Sequence, residues 1–152
     1  MISPQEGSFS KNARIRARRS AVQALYQWQM TQIPILDVIA EFENERTELK
    51  KADVEYFRDL LQGTAQQTTV LDDQLGPLLD RPVKELDPVE RAVLHIGLYE
   101  LLYRPELPWR VVINESVELA KMFGAEQSYK FINGVLDKAA RIIRSEEILQ
   151  AP

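Results

Sequence analysis

Residues 85–104 read ELDPVERAVLHIGLYELLYR, and this stretch decides the fold class. Asp87 stands where a helix cap belongs. Pro88 suits a first helical position, and Glu90 follows three residues after Asp87, close to a capping box. Beyond them the apolar residues fall on two arcs of a helical wheel. Val89, Ala92, Val93, Ile96, Tyr99 and Tyr103 form one; Leu94, Leu98 and Leu101 form the other. A helix apolar on two arcs must be covered on two sides, which places it in the middle of a helical bundle.

The same periodicity extends outward. Downstream, Pro105 and Pro108 make a rigid connection into a helix whose Trp109, Val112, Ile113, Ser116, Val117, Ala120 and Phe123 share a face, with Gly124 ending it. Ser128 is expected to cap a last helix with Ile132, Val135, Leu136, Ala139, Ile142 and Ile143 as its core stripe. Upstream, Val54, Phe57 and Leu61, then Thr68, Leu71, Leu75 and Leu78, predict one long helix or two, with Gly63 as a weak point and Pro82 as the stop. Leu36–Arg46 predicts another helix. Near the start, Ala21, Val22, Leu25 and Trp28 share an arc, with Arg16, Arg19, Gln23 and Gln27 opposite and Tyr26 at the edge. No stretch alternates long enough for a strand, so the chain reads as all-α without an internal repeat. Its expected organisation is a flexible basic arm at 1–12, one helical domain at 13–145 and a C-terminal tail at 146–152.

Composition narrows the chemistry. The 152 residues contain no cysteine and one histidine, so disulfide scaffolds, thiolate metal sites and His-rich zinc sites are excluded. Any Ser-His-Asp arrangement would need His95, which sits among core residues and reads as structural. Asp72 and Asp73 diverge by about 100° on a helix and do not converge on a metal. No glycine builds a phosphate-cradling loop. Glu100 falls on the arc of Val89, Val93 and Ile96 and reads as a structural buried carboxylate. No enzyme activity, metal or cofactor is therefore expected. Residues 21–36 form an uncharged run after an arginine cluster, but Gln23, Gln27, Gln29, Thr31 and Gln32 interrupt it. It is neither a signal peptide nor a membrane span, and a cytoplasmic location is expected.

The net charge of −4 hides a division. Residues 1–20 hold Lys11, Arg14, Arg16, Arg18 and Arg19 against Glu6 alone, a net +4 that leaves −8 on the rest of the chain. Clustered arginines on an acidic body suit an anionic partner at one end. Arg14 and Arg18 lie on the apolar arc but earlier in the helix, which predicts first turns projecting past the core. On the last helix, Lys130, Asn133, Gly134, Asp137, Arg141 and Arg144 lie opposite the core stripe, flanked by Tyr129 and Phe131. The glycine there implies close approach of another backbone, either a packed helix or a ligand. Two readings stand: a module for single-stranded RNA, using arginines and aromatics, or a helical adaptor that docks a basic protein.

RSAVQALYQWQ at 19–29, YFRDLLQG at 56–63, ELDPVERAVLHIGLYELLYR at 85–104 and VINESVELAKMFGAEQSYKFINGVLDKAA at 112–140 together resemble the NusB family of bacterial transcription antitermination factors. The resemblance implies about seven helices in two perpendicular bundles and no catalysis. It also implies binding of boxA-type RNA with NusE, a small-subunit ribosomal protein, within the RNA polymerase antitermination complex that serves ribosomal RNA operons. By position it implies RNA contacts at Arg14, Arg16, Arg18, Arg19, Tyr26, Lys130, Phe131 and Asn133, and protein contacts at Lys84, Glu90 and Arg91. Ile15, His95 and Gln127 depart from residues common in the family. The resemblance leaves monomer and homodimer open. Its alternatives are a NusB-type adaptor without RNA binding and a stand-alone relative of the helical domain of RNA cytosine methyltransferases.

Overall fold

The computed structural model describes residues 4–150, with side chains from Lys11 onward. Among the described residues there are eight α-helices and no strand. The chain divides at Gln66/Gln67 into two compact units.

The first unit holds α1 (Pro4–Thr31), α2 (Ile35–Glu45), a 3-10 turn at Thr47–Lys51 and α3 (Val54–Gln66). Helix α1 starts at Pro4, upstream of the expected boundary near Ala13. Its Ala13, Ala17, Ala21 and Leu25 are buried, and the small alanines let α3 approach closely. Asp53 fastens the two: its backbone N–H donates to the Ala13 carbonyl at 3.0 Å, and its carboxylate accepts from Tyr56 N at 3.0 Å, capping α3. Phe42 of α2 lies with its ring 6.0 Å from that of Phe57. Arg58 closes the α2–α3 pair through a two-pronged ion pair with Glu43.

The second unit holds α4 (Thr68–Leu75), 3-10 turns at Gly76–Leu78 and Val83–Glu85, α5 (Pro88–Tyr103), α6 (Trp109–Phe123), α7 (Ser128–Ile143) and α8 (Ser145–Gln150). Helix α5 packs against α4, α6 and α7, and every residue from Ala92 to Leu101 is buried, as two apolar arcs require. Full burial of residues such as Leu94, Ile96 and Leu98 contributes about 1.5–3 kcal/mol each. Asp87 caps α5 by accepting from Val89 N at 2.9 Å and Glu90 N at 3.3 Å. The break between α3 and α4 falls at Gln67, with φ −105° and ψ 16°, and α3 runs intact through Gly63.

Two expectations at the C-terminal end are corrected. Residues 145–150 form α8 instead of a tail, because Glu147 has two tasks. It accepts from Trp109 N at 3.0 Å, satisfying an orphan donor at the start of α6, and from Arg144 Nη1 at 2.6 Å. Arg144 itself is buried and not on an exposed face. Its guanidinium donates to the carbonyls of Leu101 and Leu107 at 2.8 Å each, Arg104 at 3.1 Å and Glu100 at 3.3 Å. It thereby caps the negative end of α5.

Candidate nucleic-acid interface

On α1 the arginines separate into two kinds. Arg18 is 4 % exposed, with its guanidinium 5.5 Å from the centre of the Tyr56 ring. Arg14 is half-buried over the same ring at 5.0 Å, with Nε 3.9 Å from Asp53 Oδ2. From Ala13 on, therefore, α1 does not project past its core; α3 covers the arc where Arg14 and Arg18 lie. Arg16 and Arg19 are exposed, and spacings of three, four and three residues line them up with Gln23 and Tyr26. Tyr26 is 41 % exposed. Two guanidinium groups and a phenol ring on one accessible stripe supply charge for phosphates and a flat face for a base.

In the second unit, α7 exposes Lys130, Asn133, Gly134, Lys138 and Arg141. Arg141 Nε donates to Asp137 Oδ2 at 2.9 Å. Phe131 is half-buried, and the guanidinium of Arg81 lies over its ring at 5.2 Å. Lys121 does the same for Tyr129 at 5.1 Å. Arg81 also donates to Asp80 Oδ1 at 2.8 Å, a bond that holds the Asp80 carboxyl below its ordinary value. Sequence reading missed Arg81, which comes from an aperiodic turn. It also passed over Lys138, whose position four residues after Gly134 would have flagged it.

The three residues expected to meet a protein partner are differently placed. Lys84 is exposed. Glu90 is half-buried and accepts from the Ser128 hydroxyl at 2.6 Å, so Ser128 begins α7 without capping it; Gln127, with φ 74°, occupies the cap position. Arg91 donates to Asp72 Oδ2 at 2.8 Å, and His95 Nε2 donates to Asp72 Oδ1 at 2.7 Å. Burial pushes the Asp72 carboxyl up, but the hydrogen bond from His95, together with the neighbouring Arg91 guanidinium, outweighs it and leaves the carboxyl below its ordinary value. His95 is thus a buried strut between α4 and α5, and Glu100 is fully buried in α5.

These features define a helical protein that exposes cationic and aromatic residues together on α1 and on α7, within an otherwise acidic chain. The chain belongs to the NusB family, which matches residues 15–141. It is 56 % identical over 132 residues to the transcription antitermination protein NusB of Escherichia coli O139:H28, covering 87 % of this chain and 94 % of that one. Over 125 residues it is 54 % identical to the Shewanella amazonensis protein of that name, covering 82 % and 92 %. Among solved structures, T. maritima NusB superposes with a TM-score of 0.72 at 29 % identity, covering 93 % of each chain. A complex of NusB and NusE with double-stranded RNA gives a TM-score of 0.71 at 24 % identity, covering 86 % of this chain and 98 % of that one, a likeness of fold. The chain is an antitermination factor and not an enzyme. No helix among the described residues is long and apolar enough to cross a membrane.

Proposed function

We propose that this chain acts in the cytoplasm by binding boxA-type single-stranded RNA together with NusE, within the RNA polymerase antitermination complex of ribosomal RNA operons. The observation that carries this reading is the exposed stripe of Arg16, Arg19 and Tyr26 on α1. Clustered guanidinium groups release counterions from phosphates, and a neighbouring ring stacks on an unpaired base. Lys130, Asn133 and the Arg81-capped Phe131 supply a second set of the same chemistry in the other unit. Arg14 takes a lesser share, and Arg18 supports the helix from within. On the protein side, Lys84 and Glu90 face NusE, while Arg91, held by Asp72, steadies the helix that carries Glu90. Joining weak RNA and protein contacts in one assembly raises their effective concentration.

Titration of a boxA-like RNA, in single-stranded and duplex form, with and without NusE, tests the reading. The single strand is expected to bind more tightly than the duplex, and NusE to raise affinity further. Absence of RNA binding in both conditions would favour a purely protein-binding adaptor.

A further inference from the structure

Gly134 lies inside α7, where glycine is the poorest residue except proline. Gly97 shows what normally justifies a helical glycine: a Cβ there would sit 2.7 Å from Ser116 Oγ and 2.8 Å from Leu136 Cδ1, so helix packing forbids one. At Gly134, apart from its chain neighbours and the backbone of its own helix turn, nothing comes within 4 Å of a Cβ, and its φ is not positive. Neither packing nor backbone conformation within the described chain requires glycine. Gly76 is equally open, but it begins a short 3-10 turn beside Pro77, where α-helix propensity is not at issue.

What surrounds Gly134 selects the occupant. Lys130 stands one turn before it and Lys138 one turn after, both exposed and about 12 Å apart along the helix. Arg141 follows on the same side, with Asp137 as its ion-pair partner. Phe131, under Arg81, bounds the opposite edge. The missing Cβ makes a shallow, smooth saddle between cations, the shape and charge for an anionic backbone laid against the helix.

We propose that the sugar–phosphate backbone of single-stranded RNA crosses α7 at Gly134, with Lys130 and Lys138 engaging phosphates on either side. The proposal rests on the RNA-binding reading above and adds to it a contact point and two residues, Gly134 and Lys138. The test is a titration of the full chain with fluorescently labelled boxA-like RNA at two salt concentrations, alongside thermal unfolding. Gly134→Ala is expected to keep or raise the Tm while weakening RNA binding about fivefold, and Gly134→Leu to weaken it further. Lys138→Ala is expected to lessen the log–log salt slope by about 0.7, as loss of one phosphate contact on a single strand requires. Wild-type affinity in Gly134→Ala would overturn the proposal. Loss of NusE binding with RNA binding intact would also overturn it, assigning the saddle to protein. If the unmodified chain binds no RNA, the RNA reading fails first and this proposal with it.

Discussion

The guanidinium of Arg144 donates to the backbone carbonyl of Leu101 at 2.8 Å across 43 positions of sequence. The same group serves three further carbonyls and the Glu147 carboxylate. Arg144→Ala strands those acceptors and unties α8 from the α5–α6 connection. A loss of about 3–5 kcal/mol is expected, the range for breaking a buried charged network by removing one partner. Urea unfolding checks this. RNA affinity measured well below the unfolding midpoint is expected to stay at the wild-type value.

Asp72 joins α4 to α5 through His95 and Arg91. Its folded pKa lies below the ordinary 3.8, so its contribution is fully present above that value and is lost as pH falls through the lower folded pKa. Asp72→Asn is expected to cost about 1–2 kcal/mol at neutral pH, because the site is only partly buried and charge-assisted bonds are lost. The difference from wild type should close in urea titrations carried below pH 3.8.

Gly97 and Gly134 make opposite predictions for the same substitution. At Gly97 the new methyl must displace Ser116 and Leu136, an overpacking cost that exceeds the gain in helix propensity. Gly97→Ala is expected to lose about 1–2 kcal/mol in thermal unfolding. Equal stability of Gly97→Ala and wild type would show that α5, α6 and α7 are less tightly fitted than their geometry indicates.

Glu90 accepts a hydrogen bond from Ser128 and is proposed to face NusE. Glu90→Lys is expected to weaken NusE association about tenfold, while RNA affinity of the isolated chain changes less than about twofold. Glu90→Gln keeps an acceptor for Ser128 and separates charge from support. Parallel loss of both affinities in Glu90→Lys would assign Glu90 to stability alone.

Local signals made most of the architecture legible. The two arcs of α5, the Asp87 cap and Gly124 at the end of α6 each depend on neighbours within one or two helical turns, which a wheel captures. What escaped depends on distant partners. Arg144 falls on the wheel opposite the α7 core, yet its partners are carbonyls at the far end of α5. Arg18 counted as a free cation until Tyr56 of α3 came to lie under it. Of the two neighbours open for Gly134, a packed helix or a ligand, no packed helix is there, and tight helix packing occurs instead at Gly97, since only the packing of α6 and α7 decides which glycine meets a neighbour. For the site, exposure on α1 sorts arginines that composition could only count.

The accessible stripe of α1 is proposed to grip RNA, and its two arginines are the residues to remove. Labelled boxA-like single-stranded RNA is titrated with wild type and with the Arg16→Ala/Arg19→Ala double variant at two salt concentrations. Affinity about tenfold weaker is expected in the variant, with a salt slope shallower by about 1.4 for two lost phosphate contacts, and an unchanged Tm. Identical affinity and identical slope in the two proteins would contradict it.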